Sequence, residues 1–247
     1  MPWLPPNVST FGSDIDSLFY LVLFATGIAF VLTEAALIIF LVRYRHREGR
    51  QATFIHSNRR LEIGWTVVAG VSFFSLALIQ QGTWSFIKGS SPPEDQSVLV
   101  EVTSRQFEWH VRYPGPDRQF GRVDSARISS NNPLGVDAAD PAGQDDIIAP
   151  VNSLHVPVNQ NILILLRSRD QAFKEVIHSF FVPQLRLKQD ALPGQTTKVW
   201  FNATQTGSYE IACAELCGLG HYRMRAALTV ETREQFEAWL QKVKAGQ

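Results

Sequence analysis

The chain has 247 residues, with 23 Lys and Arg against 23 Asp and Glu and a formal net charge of zero. That balance excludes a nucleic-acid binder held by a broad basic surface. Two cysteines, Cys213 and Cys217, are too few for a disulfide framework, and the 45% of hydrophobic residues is concentrated in two N-terminal blocks ahead of an ordinary soluble composition.

The first block, residues 18–42, exceeds the ~20 apolar residues that a helix needs to cross the hydrocarbon core. No positive charge precedes it, Asp14 and Asp16 do, and no small-residue cleavage site follows, so a retained helix is expected rather than a cleaved leader. Glu34 inside it is expected to be protonated against a partner helix, which implies a membrane partner. The second block, residues 63–87, is bracketed by Trp65 and Trp84 as interfacial aromatics. Between the blocks, Arg43, Arg45, Arg47, Arg50, Arg59 and Arg60 face only Glu48. The positive-inside rule makes this loop cytoplasmic. Both termini and the C-terminal part are then periplasmic, in a two-span protein of a bacterial inner membrane.

The helical hairpin is assigned to residues 1–92 and the soluble domain to residues 93–247. Strand-like runs cover residues 97–114, 155–170, 196–213 and 224–231, separated by Gly, Pro and Asn turns. A helical period appears only where Thr232 caps a final helix with Phe236 and Leu240 on one face. Short strands without intervening helices predict an all-β sandwich or barrel. Gly115 to Pro150, with six aspartates, is expected to be a long, solvated surface excursion. A docking surface for a basic donor protein is the weaker reading.

The chemistry lies in Cys213-Ala-Glu-Leu-Cys217-Gly-Leu-Gly-His221-Tyr-Arg-Met224. Every sulfur beyond Met1 falls in this stretch. Thiolate, imidazole and thioether together select copper, whereas zinc has little use for Met. A single-copper site of the blue type uses one Cys. The second Cys suggests a second metal ion, and two bridging thiolates can hold two coppers close together. Each copper then needs a nitrogen ligand. His221 supplies one, and His178, before an apolar strand, is preferred to His110 and His155 for the other.

These residues closely resemble the cytochrome c oxidase subunit II family, from about Leu18 to Glu231. The resemblance implies a two-helix transmembrane hairpin followed by a cupredoxin-like Greek-key barrel or sandwich with a binuclear copper centre, CuA. By that resemblance Cys213 and Cys217 bridge both coppers. His178 and Met224 complete one, and His221 with the backbone carbonyl of Glu215 completes the other. The Glu215 carboxylate would reach a magnesium ion at the interface with the catalytic subunit. Asp190, in the signature Leu187 to Gly194, would buttress the copper loop. Glu62 would lie near the mouth of a proton-uptake channel. The family usually has Trp after the Gln at position 106. Here Phe107 follows and Trp109 comes two residues later, so Phe107 and Trp109 are the candidates for electron entry. Gln189 stands where a second acid is common.

The implied role is the electron-entry subunit of a respiratory terminal oxidase, a proton-pumping oxidoreductase and translocase. Cytochrome c or another small periplasmic donor would reduce the copper pair. The electron would pass to heme in catalytic subunit I, where oxygen is reduced to water. The alternatives are the CuA subunit of a nitric oxide reductase and an anchored copper electron carrier.

Overall fold

The computed structural model describes residues 3–51, 53, 54, 56–169 and 176–246. Asp170, at the end of one predicted strand run, lies outside the described residues. The chain forms two compact units, residues 14–86 and residues 1–13 with 87–247.

The smaller unit holds most of helix α1, Gly12–Arg43, and helix α2, Arg59–Trp84. Both helices are long and apolar enough to cross a membrane, with mean hydropathies of 2.3 for the span Gly12–Arg43 and 1.7 for the span Arg59–Gly89. Four of their hydroxyls are satisfied locally. The hydroxyls of Thr26, Thr33, Thr66 and Ser72 each donate 2.8 Å to the carbonyl four residues back, so none presents an orphan donor to hydrocarbon. Asn58 caps α2 by accepting from the Leu61 N–H, and Glu62 in the first turn complements the positive end of the helix dipole.

The larger unit is a sandwich of two five-stranded sheets. Its strands are β1 (Ser97–Arg105), β2 (Glu108–Tyr113), β3 (Ile147–Ile148), β4 (Ser153–Pro157), β5 (Asn161–Ser168), β6 (His178–Val182), β7 (Leu187–Ala191), β8 (Thr197–Asn202), β9 (Gly207–Cys213) and β10 (Arg225–Glu231). One sheet runs β3-β2-β1-β5-β8 and the other β4-β10-β9-β6-β7. The pairs β1–β5 and β4–β10 are parallel and the rest antiparallel, as in a cupredoxin-like Greek-key sandwich. Branched and aromatic residues from both sheets, among them Val100, Ile162, Ile164, Phe201, Leu154, Phe180 and Leu228, are fully buried. Burying each is worth about 1.5–3 kcal/mol. Helix α3, Arg233–Ala245, starts at the expected cap with a reciprocal Thr232–Gln235 capping box. It packs Phe236 and Trp239 edge-on against Tyr113 at 5.8 and 5.7 Å.

Two features depart from the sequence expectation. The excursion 115–150 is not a loosely solvated loop with a free acidic face. Buried Arg112 donates to Glu101 at 2.7 and 3.1 Å, to Asp146 at 2.8 Å and to the Gly121 carbonyl at 3.0 Å. The Gly121 N–H also donates to Asp146, so this cluster pins both ends of the excursion to the sheet. Asp124, Asp137 and Asp140 pair with Arg122 and Arg127 within the excursion itself.

The second feature is an N-terminal strap. Val8 N–H donates to the Gln184 carbonyl, Thr10 N–H to Asn202, and Thr204 N–H to Val8, so the segment lies along the end of β8 and reaches the turn before β7. Val8 and Phe11 are buried, and Phe11 meets Trp200 edge-on at 5.5 Å. The Trp200 indole N–H is shared between the carbonyls of Ile87 and Ser90.

Candidate metal centre

Strands β9 and β10 form an antiparallel pair in which Arg225 faces Ala212. The Cys213 N–H donates to the Met224 carbonyl at 3.1 Å, so residues 214–223 form a closed loop whose two ends meet. Strand β6 lies on the other side of β9, with Phe180 opposite Cys213 and Ala214 N–H donating to the Ser179 carbonyl. This pairing carries His178, remote in sequence, to the loop.

The ligand atoms converge. The side-chain donors of His178, Cys213 and Cys217 lie within 4.8 Å of one another, and all three residues are buried. Cys213 Sγ is 3.8 Å from His178 Nδ1, 3.9 Å from Cys217 Sγ and 3.2 Å from the Glu215 carbonyl oxygen. Cys217 Sγ is 3.6 Å from His221 Nδ1 and 3.8 Å from Met224 Sδ. A disulfide needs about 2.05 Å between sulfurs, so the two thiols are not joined. Burial by itself would raise the Cys213 thiol. Hydrogen bonds from His178, the Ser179 and Glu215 backbone and His221 outweigh it and bring the pKa down to about 6, which favours the thiolate that binds metal. Two thiolates, two imidazoles, a thioether and a carbonyl fit soft, copper-type coordination.

Of the other predicted residues, the Glu215 side chain is exposed. Asp190 sits in β7 opposite Ser179 and accepts from Thr197 Oγ1 through its carbonyl, so its strand backs the one that starts at His178. Trp109 is fully buried, with ring centroids 6.3 Å from His178 and 5.6 Å from Phe180. Only Phe107 of the two aromatics reaches solvent, because β2 is covered on both faces and leaves Trp109 no exposed edge. His155 is held by Glu231 at 2.6 Å and stacked on Trp239 at 3.9 Å, and His110 by Glu108 at 2.8 Å. Neither belongs to the cluster. Glu62 lies in the helical unit, away in sequence from every one of these groups.

Sequence reasoning missed Gln106 and Arg223. Gln106 Nε2 donates to the Cys217 carbonyl at 2.5 Å, and the Arg223 guanidinium stands 5.7 Å over the Phe107 ring. The signal was the pair Gly218 and Gly220, since glycines so placed mark a close approach by another group.

A family model described as cytochrome C oxidase subunit II, periplasmic domain, matches residues 99–231. The alternative cytochrome c oxidase subunit 2 of Bradyrhizobium diazoefficiens is 35% identical, over 98% of this chain and 85% of its own length. Cytochrome c oxidase subunit 2 of Thermostichus vulcanus is 29% identical, over 98% and 79%. Among solved structures, the periplasmic domain of subunit II of cytochrome oxidase of Bradyrhizobium japonicum is 28% identical. It covers 64% of this chain and 99% of its own, with a TM-score of 0.45.

Proposed function

The chain belongs to the cytochrome c oxidase subunit II family, and from that premise we propose that it passes electrons from a periplasmic donor to heme in a catalytic subunit through a binuclear copper centre. The observation that carries this reading is the buried convergence of His178, Cys213 and Cys217, with His221 and Met224 reaching the second sulfur. Cys213 and Cys217 would hold the pair together with His178, Met224, His221 and the Glu215 carbonyl. The exposed Glu215 carboxylate is available to a magnesium ion shared with the catalytic subunit.

When bound, a thiolate-bridged copper pair supplies a one-electron carrier whose geometry changes little between oxidation states. The chain's own residues do the rest. Phe180 and Trp109, both fully buried beside His178, exclude water there and so lower the local dielectric, with Leu185 buried in the same domain. Asp190 steadies His178 through the β6–β7 pairing. Phe107, half-exposed over the loop, is the entry group for the electron, and Trp109 supports it from inside. Glu62 serves proton uptake at the opposite, cytoplasmic side.

The membrane arrangement follows the same reading. Residues 3–13 pack with residues 87–246 in one unit, which supports both termini on the periplasmic side and the arginine loop in the cytoplasm. The terminal acceptor is oxygen, a choice supported by relatives that are cytochrome c oxidases.

The test is a copper count with electron paramagnetic resonance on the full chain purified in mild detergent. Two coppers per chain and a seven-line hyperfine pattern are expected. One copper, or zinc, overturns the centre. Copurification with a heme-bearing subunit that turns over oxygen tests the assembly. A chain that always emerges alone, or a complex that turns over nitric oxide and not oxygen, overturns it.

A further inference from the structure

The turn between β1 and β2 reaches the metal loop across more than a hundred residues of sequence. Gln106 Nε2 donates to the Cys217 carbonyl at 2.5 Å. A Cβ at Gly218 would stand 3.0 Å from that same nitrogen and 3.3 Å from Phe107 Cζ, and one at Gly220 would fall 2.3 Å from Phe107 Cδ2. Both glycines therefore leave room for the turn to lie against loop backbone. Gly218 also takes a φ of 132°, which side chains rarely adopt. Arg223 holds the outer face of the Phe107 ring.

Gln106 donates to a backbone carbonyl of the loop. We infer that Gln106 is a positioning residue: by holding the Cys217 carbonyl it sets the shape of the loop before metal arrives and keeps Phe107 seated over it. The inference rests on reading this loop as the metal loop. Two effects follow from one hydrogen bond. The peptide after Cys217 is oriented, which aims the adjacent Sγ at His221 Nδ1 and Met224 Sδ. The donated N–H also offsets part of the negative charge that two thiolates collect, which favours the reduced centre.

The experiment compares wild type with Gln106→Leu and Gln106→Glu in the full chain. In metal-free protein, amide hydrogen exchange at residues 218–222 is expected to quicken on the order of tenfold, the loss of one well-formed hydrogen bond, with β5 and β10 unchanged. This arm stands whether or not copper binds. In copper-loaded protein the hyperfine pattern is expected to change and the reduction potential to fall. Gly220→Ala is expected to disturb the loop by displacing Phe107, and Gly220→Ala with Phe107→Ala to relieve it. Unchanged exchange at 218–222 in both Gln106 variants overturns the proposal. So does protection lost across the whole sandwich, which marks a merely structural role, and so does Gly220→Ala that behaves as wild type.

Discussion

Arg112→Met removes the cation from the buried cluster and keeps most of the stem volume. In the native chain Arg112, Glu101 and Asp146 have side chains only 1, 1 and 2% exposed. After the change Glu101 retains Arg167 at 3.3 Å, and Asp146 retains only the Gly121 N–H. Breaking a buried pair by deleting one partner costs about 3–5 kcal/mol. For a unit of this size each kcal/mol lowers the melting temperature by about 2–4 °C, so a fall of roughly 6–20 °C is expected. The penalty depends on pH. Burial already raises Asp146, with Arg112 pulling it back, and without Arg112 it rises further. A group whose pKa is raised on folding loses stability as pH climbs through that folded value. The deficit of Arg112→Met is therefore smaller at pH 5 than at pH 7.5. Thermal unfolding followed by circular dichroism at both values checks this, with Glu101→Gln/Arg112→Met/Asp146→Asn expected to recover part of the loss. A loss under about 1 kcal/mol, or a deficit that grows on acidification, refutes the reasoning.

The other expectations are simpler. Cys217→Ser leaves one sulfur bridge and abolishes the seven-line signal, whereas His155→Ala keeps it and loses about 1–2 kcal/mol through the Trp239 stack and the Glu231 contact. A lost signal in His155→Ala would mean that the wrong imidazole was chosen. Phe11→Ala weakens the docking of the strap by about 3–5 kcal/mol, read as faster proteolysis within residues 3–13. Equal cleavage rates would show that Phe11 does not hold it. Burial depresses His110 against the pull of Glu108. Its contribution to stability is present above the ordinary value of about 6.5 and is lost as pH falls below it. His110→Gln should flatten the unfolding profile between pH 7 and pH 5, and identical profiles would count against a buried neutral imidazole.

Local chemistry was legible and remote contact was not. Cys213, Cys217, His221 and Met224 sit within one loop, so ligand types and spacing were visible together. His178 needed the further argument that each copper takes a nitrogen ligand, and the pairing of β6 with β9 supplies the geometry behind it. The apolar blocks and the Thr232 cap were equally plain, because membrane length and helix capping are short-range signals. The full burial of Trp109 and Arg112 could not be read from the sequence for a common reason. Alternation reports burial only when one face of a strand meets water, and β2 is covered on both faces. The strap escaped notice because Val8 and Phe11 are two isolated apolar residues whose partners come nearly two hundred positions later. Which aspartates of the excursion pair with Arg122 and Arg127 was hidden too, because those contacts depend on how the excursion folds back on itself.

The strap ties residues 8–11, ahead of the two long helices, to the end of β8, nearly two hundred positions later. A polypeptide that crosses a bilayer twice between residues 14 and 86 must deliver residues 3–13 to the same compartment as the sandwich, or the end of β8 stays open. Once Phe11 is seated against Trp200, pulling the tail back across the lipid would require that aromatic contact to be undone first. A water-soluble fragment begun at residue 93 would leave the end of β8 uncovered, an edge open to self-association.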